Sequence, residues 1–174
     1  MRLRLQVDVK REFVIDYPTK NAPDDFKKFM DSFLKWQCGL IIERTKEVVR
    51  KKLYNWHPLS PSYVKFKEKM GLDPRTWLAS GQVEKAIHYW YSPLADSYFI
   101  GVHPTLRHRN YIKGGYDQKK KGTRIIDIIR YLEFGTTKMK PRPLFTKVLA
   151  EFKSKKRQTE LYAQFIQLSK TGVL

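Results

Sequence analysis

Cysteine is nearly missing from the chain. Cys38 stands alone, so no internal disulfide and no cysteine-rich zinc site can be built, and the composition fits synthesis in a reducing cytoplasm. Acidic residues are scarce as well, 17 Asp and Glu against 35 Lys and Arg, which leaves a formal charge of +18. That excess argues against a basic neighbour and favours a polyanion or an acidic protein surface, without choosing between them. Long uncharged apolar runs are lacking, and the start Met1-Arg2-Leu3-Arg4-Leu5 alternates instead of forming an apolar signal core. The expectation is a soluble protein with no membrane span and no standard secretion signal. The motifs of common enzymes are missing too: there is no phosphate-cradling glycine loop, no His-Glu-x-x-His and no Gly-x-Ser-x-Gly. His57, His88, His103 and His108 are the only histidines, and no pair has the helical spacing of a common zinc motif. No catalytic group, metal or cofactor is expected.

What is present is enough for one compact domain: 174 residues, 41% hydrophobic and 14% aromatic. Leu3, Leu5, Val7 and Val9 share a parity that returns at Phe13, Ile15 and Tyr17, predicting one long strand or two short ones with a single buried face. Pro23-Asp24-Asp25 opens a long helix whose stripe runs through Phe26, Phe29, Met30, Phe33, Trp36, Leu40, Ile41, Val48 and Leu53, with Cys38 as a packing residue. Trp56-His57-Pro58-Leu59-Ser60-Pro61 breaks that helix, and Ser60 or Ser62 is the expected cap of a short segment running to Met70. Val83, Ile87, Tyr89 and Tyr91 share one parity, so a strand is expected from about Lys85, followed by a loop at 92–96 and a returning strand from Tyr98 to Val102. The predicted class is α+β, a small mostly antiparallel sheet packed against a long N-terminal helix and C-terminal helices. The last of these continues as a helical extension at about 153–172 with a bend near Ser154.

Residues 131–145, Tyr-Leu-Glu-Phe-Gly-Thr-Thr-Lys-Met-Lys-Pro-Arg-Pro-Leu-Phe, concentrate the local signals. Ile125, Ile126, Ile128, Ile129, Leu132 and Phe134 predict a helix that Gly135 closes in a left-handed conformation. Pro141 and Pro143 hold the backbone extended, and a new helix is expected near Pro143, continuing through Leu144, Val148, Leu149 and Phe152. The basic segment between them, with Met139 inside it, belongs at the surface or against another chain.

The most basic part is 104–122, which lacks periodicity and is expected to be an exposed, mobile loop. Lys119, Lys120 and Lys121, with Arg107, Arg109, Lys113 and Arg124 near them, have the character of a contact to phosphates or to an acidic partner, or simply of a solvated loop. Tyr111 and Tyr116 offer rings for stacking, yet no helix-turn-helix, zinc finger or RNA-recognition signature organises the charges, so any nucleic-acid contact is non-specific. A metal-dependent nuclease is the enzymatic alternative. Asp8-Val9-Lys10 resembles half of a restriction-type motif, but the Pro-Asp-Asp at 23–25 comes after it, the wrong order.

The order of motifs says more than any one of them. Trp56-His57-Pro58-Leu59-Ser60-Pro61, then Ser80-Gly81-Gln82-Val83, then Phe99-Ile100-Gly101-Val102, then Tyr131-Leu132-Glu133-Phe134-Gly135-Thr136 with Met139-Lys140-Pro141-Arg142-Pro143-Leu144-Phe145, resembles the tail-completion or head-to-tail joining proteins of tailed bacteriophages, also called neck or virion morphogenesis proteins. The likeness covers about Phe26 to Phe152; the loop at 104–122 is longer than usual and Val83 replaces the commoner leucine. The resemblance implies a structural virion protein, made in the host cytoplasm, that closes into a ring of about six or twelve copies around the DNA channel. Its implied partners are the portal-adaptor assembly, a tail-terminator or tail-tube protein, and genomic double-stranded DNA held non-specifically. A non-specific nucleic-acid-binding protein is the alternative. On the neck reading Glu133, Phe134, Gly135, Met139, Lys140, Pro141, Arg142, Pro143 and Phe145 form an assembly interface in which Arg142 pairs an acidic group and Phe145 packs at its base. On the purely local reading Arg142 caps helix-end carbonyls and Phe145 is core.

Overall fold

The computed structural model describes residues 23–78, 80–103, 105–108 and 122–171 with their side chains, and the backbone at 2–8, 11–16, 111–112 and 115–116. The chain is α+β. Strand β1 (Arg2–Asp8) pairs antiparallel with β2 (Arg11–Asp16), and helix α1 (Asp24–Lys51) then leads to α2 (Pro61–Lys69) and the short α3 (Gln82–Ala86). Strands β3 (His88–Ser92) and β4 (Ser97–Gly101) form an antiparallel hairpin, and β4 also runs parallel to β1, so the sheet order is β2-β1-β4-β3. Two pairings of three are antiparallel. Two-residue strands β5 (Tyr111–Ile112) and β6 (Gly115–Tyr116) pair separately, and α4 (Ile125–Phe134), α5 (Phe145–Lys153) and α6 (Lys155–Lys170) complete the chain.

The register explains the alternation at the N-terminus. Leu5 stands opposite Phe13 and Leu3 opposite Ile15, while on the other side Leu3 meets Tyr98 and Leu5 meets Ile100. The odd-numbered residues therefore share rows with the buried Tyr98 and Ile100. Helix α1 lies over β3 and β4, and α4 and α5 lie over β1. Because α1 also touches α5 and α6, its buried face is wider than the stripe read from sequence. Leu34, Cys38, Ile42 and Val49 are buried with Met30, Phe33, Ile41 and Val48, whereas Phe26 and Leu53 at the two ends are exposed. Desolvation pushes the Cys38 thiol up to about 12, which suits an inert packing group. The C-terminal segment is part of this core: Leu161 and Phe165 of α6 are buried, and Phe165 meets Phe29 and Phe33 at ring-centroid distances of 5.2 and 5.3 Å.

Several boundaries differ from those expected. Ser154 ends α5 in an extended conformation and its hydroxyl accepts from the Arg157 N–H, so the bend is a true break with its own cap. Helix α5 begins at Phe145, two residues past Pro143. Lys85 lies in α3, and the strand starts at His88, because Gly81 at φ 72° begins a helical turn that uses Val83 and Ala86 as its buried pair. Val83 and Ile87 fit both a strand parity and an i, i+4 helical spacing. The stretch at 104–122 contains the β5–β6 pair, which no periodicity announced. No helix among the described residues is long and apolar enough to cross a membrane.

Candidate assembly surface

Helix α4 ends where glycine was expected. Gly135 adopts φ 76°, and its N–H donates to the Tyr131 carbonyl. A Cβ there would sit 2.6 Å from the Met139 carbonyl oxygen and 2.9 Å from the Pro141 nitrogen, so the tight approach of the following chain requires glycine at this point. Thr136 and Met139 exchange backbone hydrogen bonds of 2.8 and 3.2 Å around a turn that exposes Thr137 and Lys138. The Arg142 N–H then donates to the Leu132 carbonyl at 2.7 Å, folding the chain back onto the last turn of α4.

Two buried charges fix this return. Glu133 accepts from the backbone N–H groups of Leu144 (2.7 Å), Phe145 (3.1 Å) and Thr146 (2.8 Å). Leu144, at the N-cap of α5, has no side chain that can cap, so the carboxylate of the preceding helix does that work at the positive end of the α5 dipole. Arg142 is only 5% exposed. Its Nε donates to the His57 carbonyl at 2.9 Å and its Nη2 to the Pro58 carbonyl at 3.1 Å. Desolvation lowers the guanidinium pKa, yet a guanidinium keeps its proton in proteins. His57 and Pro58 belong to no regular element, so their carbonyls lack ladder partners and the planar fork supplies them. Indole groups close the arrangement: Trp77 Nε1 donates to the Arg142 carbonyl at 3.2 Å and Trp56 Nε1 to the Pro143 carbonyl at 2.9 Å. Phe145 is core, edge-on to Trp77.

Arg142, expected to pair with an acidic group of a neighbour, instead directs its donors to carbonyls of this chain. Glu133 and Phe145 are likewise turned inward. Phe134 packs against the core, Gly135 and Pro143 are half-buried, and Met139, Lys140 and Pro141 remain at the surface, Met139 in part. Among the expected basic contacts, Arg124 precedes α4 and pairs with Asp127 at 2.8 Å, and Arg107 donates to the Gly122 carbonyl at 3.0 Å. Arg109, Lys113, Lys119, Lys120 and Lys121 lie outside the described residues.

Beside the return lies a half-open groove of about 1100 Å³ between α2 and α4, which sequence reasoning did not identify. Tyr63 and Phe66 of α2 are stacked (6.1 Å, 14°) and stand 48% and 51% exposed on one wall, and Tyr131, 47% exposed, stands with Ile128 and Leu132 on the other. Lys67 is buried by its donation to the Arg75 carbonyl at 2.7 Å, and desolvation holds its ammonium below the usual lysine value. Lys138 and Lys140 stand exposed at the rim. No Asp or Glu lines the groove among the described residues. The signal was present in α4, which carries apolar residues on more than one face although only Ile125, Ile126 and Ile129 are buried.

Ser80 and His108 also reach the groove, with Ser80 Oγ 3.3 Å from His108 Nε2. Burial holds the imidazole below its ordinary pKa, and no carboxylate orients it among the described residues, so the pair lacks the third member of a nucleophilic triad. Nor do three His, Cys, Asp or Glu come together to hold a metal ion among the described residues. Compared with known proteins, the chain matches no family model, no curated protein and no solved structure.

Proposed function

We propose that this chain is a structural, non-enzymatic subunit of a phage neck, forming a ring that joins the portal-adaptor assembly of the head to the tail around the DNA channel. The observation that carries the reading is the convergence of three separated motifs on one surface. The Trp56–Pro61 turn, the Ser80–Val83 turn and the Glu133–Phe145 return all border the groove, and Arg142 ties the first to the last. A surface clamped by buried charges and indoles loses little entropy on docking, which suits assembly from preformed subunits. The ring itself would be closed through other faces of the chain, where rotational symmetry makes the contacts between copies finite.

The high positive charge favours a second reading, non-specific nucleic-acid binding, which is compatible with a ring around DNA and differs from it only if the chain acts alone. The discriminating measurement is the abundance of this chain relative to the portal subunit in purified, nuclease-treated virions, by quantitative mass spectrometry. A fixed ratio compatible with one ring is the expected result. Absence from complete particles overturns the neck reading and leaves nucleic-acid binding.

A further inference from the structure

We infer that the groove between α2 and α4 is a docking site for an acidic amphipathic helix of a partner protein, which places apolar side chains against Phe66, Ile128, Leu132 and Tyr131 and carboxylates beside Lys138 and Lys140. The occupant follows from the chemistry of the walls. Tyr63 and Phe66 on one wall and Tyr131 on the other are each about half exposed, so the groove offers apolar surface from both sides to an inserted apolar ridge. The charge around it has one sign. Lys67 and Arg142 are held by carbonyls, whereas Lys138 and Lys140 have no ion-pair partner among the described residues and no acidic residue lines the groove. A second copy of this chain, itself at +18, brings net repulsion to such a rim, and an acidic partner brings attraction. Among the described residues the walls are helices and connecting turns, with no strand edge offering a ladder. An occupant must satisfy its own backbone groups, which a helix does, and a ridge of apolar residues at i, i+3, i+4 and i+7 suits a trough between two helices.

The inference names the partner of the surface on which the neck reading also rests, but the two fail separately, since peptide binding by the purified chain does not depend on virion composition. The test uses the purified full chain and three labelled peptides of about 18 residues, followed by fluorescence anisotropy. One carries leucine at the stated spacing with glutamate elsewhere, one replaces every glutamate by lysine, and one scrambles the acidic peptide so that the apolar stripe is lost. The acidic amphipathic peptide should saturate at one per chain, and the other two should bind at least about tenfold more weakly. Lys138→Glu with Lys140→Glu should weaken it by about tenfold and reduce its salt sensitivity, and Phe66→Ala should weaken it by a similar factor. All three positions are exposed, and unchanged melting temperatures establish that the variants are folded. Equal binding of the scrambled peptide would mean that charge alone acts, and equal binding by either variant would mean that the groove is not the site; each overturns the proposal. So does a chain that self-associates in sedimentation, dissociates on Phe66→Ala and is not competed by the acidic peptide, because the groove would then hold a second copy.

Discussion

Glu133 and Arg142 show how a charge can be buried with no counter-charge beside it among the described residues. Each meets several groups of the opposite partial charge: three N–H donors for the carboxylate and the carbonyls of His57 and Pro58 for the guanidinium. Glu133→Gln preserves shape but turns an amide NH2 toward backbone donors. It should cost about 2 to 3 kcal/mol, read as a lower urea midpoint at unchanged slope. A midpoint equal to wild type would mean that the cap contributes nothing. Gly135→Ala should be comparably harmful, about 3 kcal/mol, because its Cβ meets backbone atoms of Met139 and Pro141 at a positive φ with an extended ψ that glycine alone adopts readily. The remedy open to a clash with a flexible side chain is closed here, since the neighbours are main chain.

Between elements, carboxylates join α1 to what it packs on. Glu151 of α5 accepts from Arg44 at 2.8 Å and from Tyr54, and Asp31 of α1 accepts from Tyr98 of β4 while pairing with Lys35. Burial alone would raise both carboxyl pKa values, but these hydrogen bonds outweigh it and hold both below the usual carboxylate range. A depressed folded pKa means that the unfolded chain binds protons first as the solution is acidified. The stabilisation is therefore complete above the ordinary carboxylate range and is lost as pH falls below about 4. Arg44→Met should be less stable than wild type near neutrality and lose less of what remains between about pH 6 and pH 3. Parallel stability curves for the two proteins would show that the Arg44 contacts do not set the Glu151 titration. Arg44 and Glu151 are each about a third exposed, so salt should flatten the difference.

At the scale of the whole molecule, charge is the dominant property. With 35 basic residues against 17 acidic ones, the chain should associate with double-stranded DNA without sequence preference, and affinity should fall linearly with salt on logarithmic axes. Changing Lys119, Lys120 and Lys121 together to glutamine should lower the magnitude of that slope by about 2 to 3. An unchanged slope together with unchanged particle assembly would remove these lysines from both DNA and partner contacts. A ring carrying such charge around a channel would hold DNA loosely, since phosphate contacts position a duplex without reading it.

The helix start at Asp24, a serine cap at Ser60 or Ser62, the stop at Gly135 and the alternation at the N-terminus were legible in sequence, because each depends on neighbours within a few residues, and the structure puts the cap at Ser60. So was the charge. The roles of Glu133 and Arg142 were not, since their partners lie 11 to 13 and about 85 positions away and are backbone groups that any residue type would present. Parity alone could not choose between strand and helix at Val83 to Ile87, which the turn at Gly81 decided. The insertion of β1 between β2 and β4, and the groove that forms where α2 comes to lie opposite α4, belong to tertiary structure alone. Sequence periodicity tells which residues share a face; only the meeting of distant segments determines what that face is left to bind.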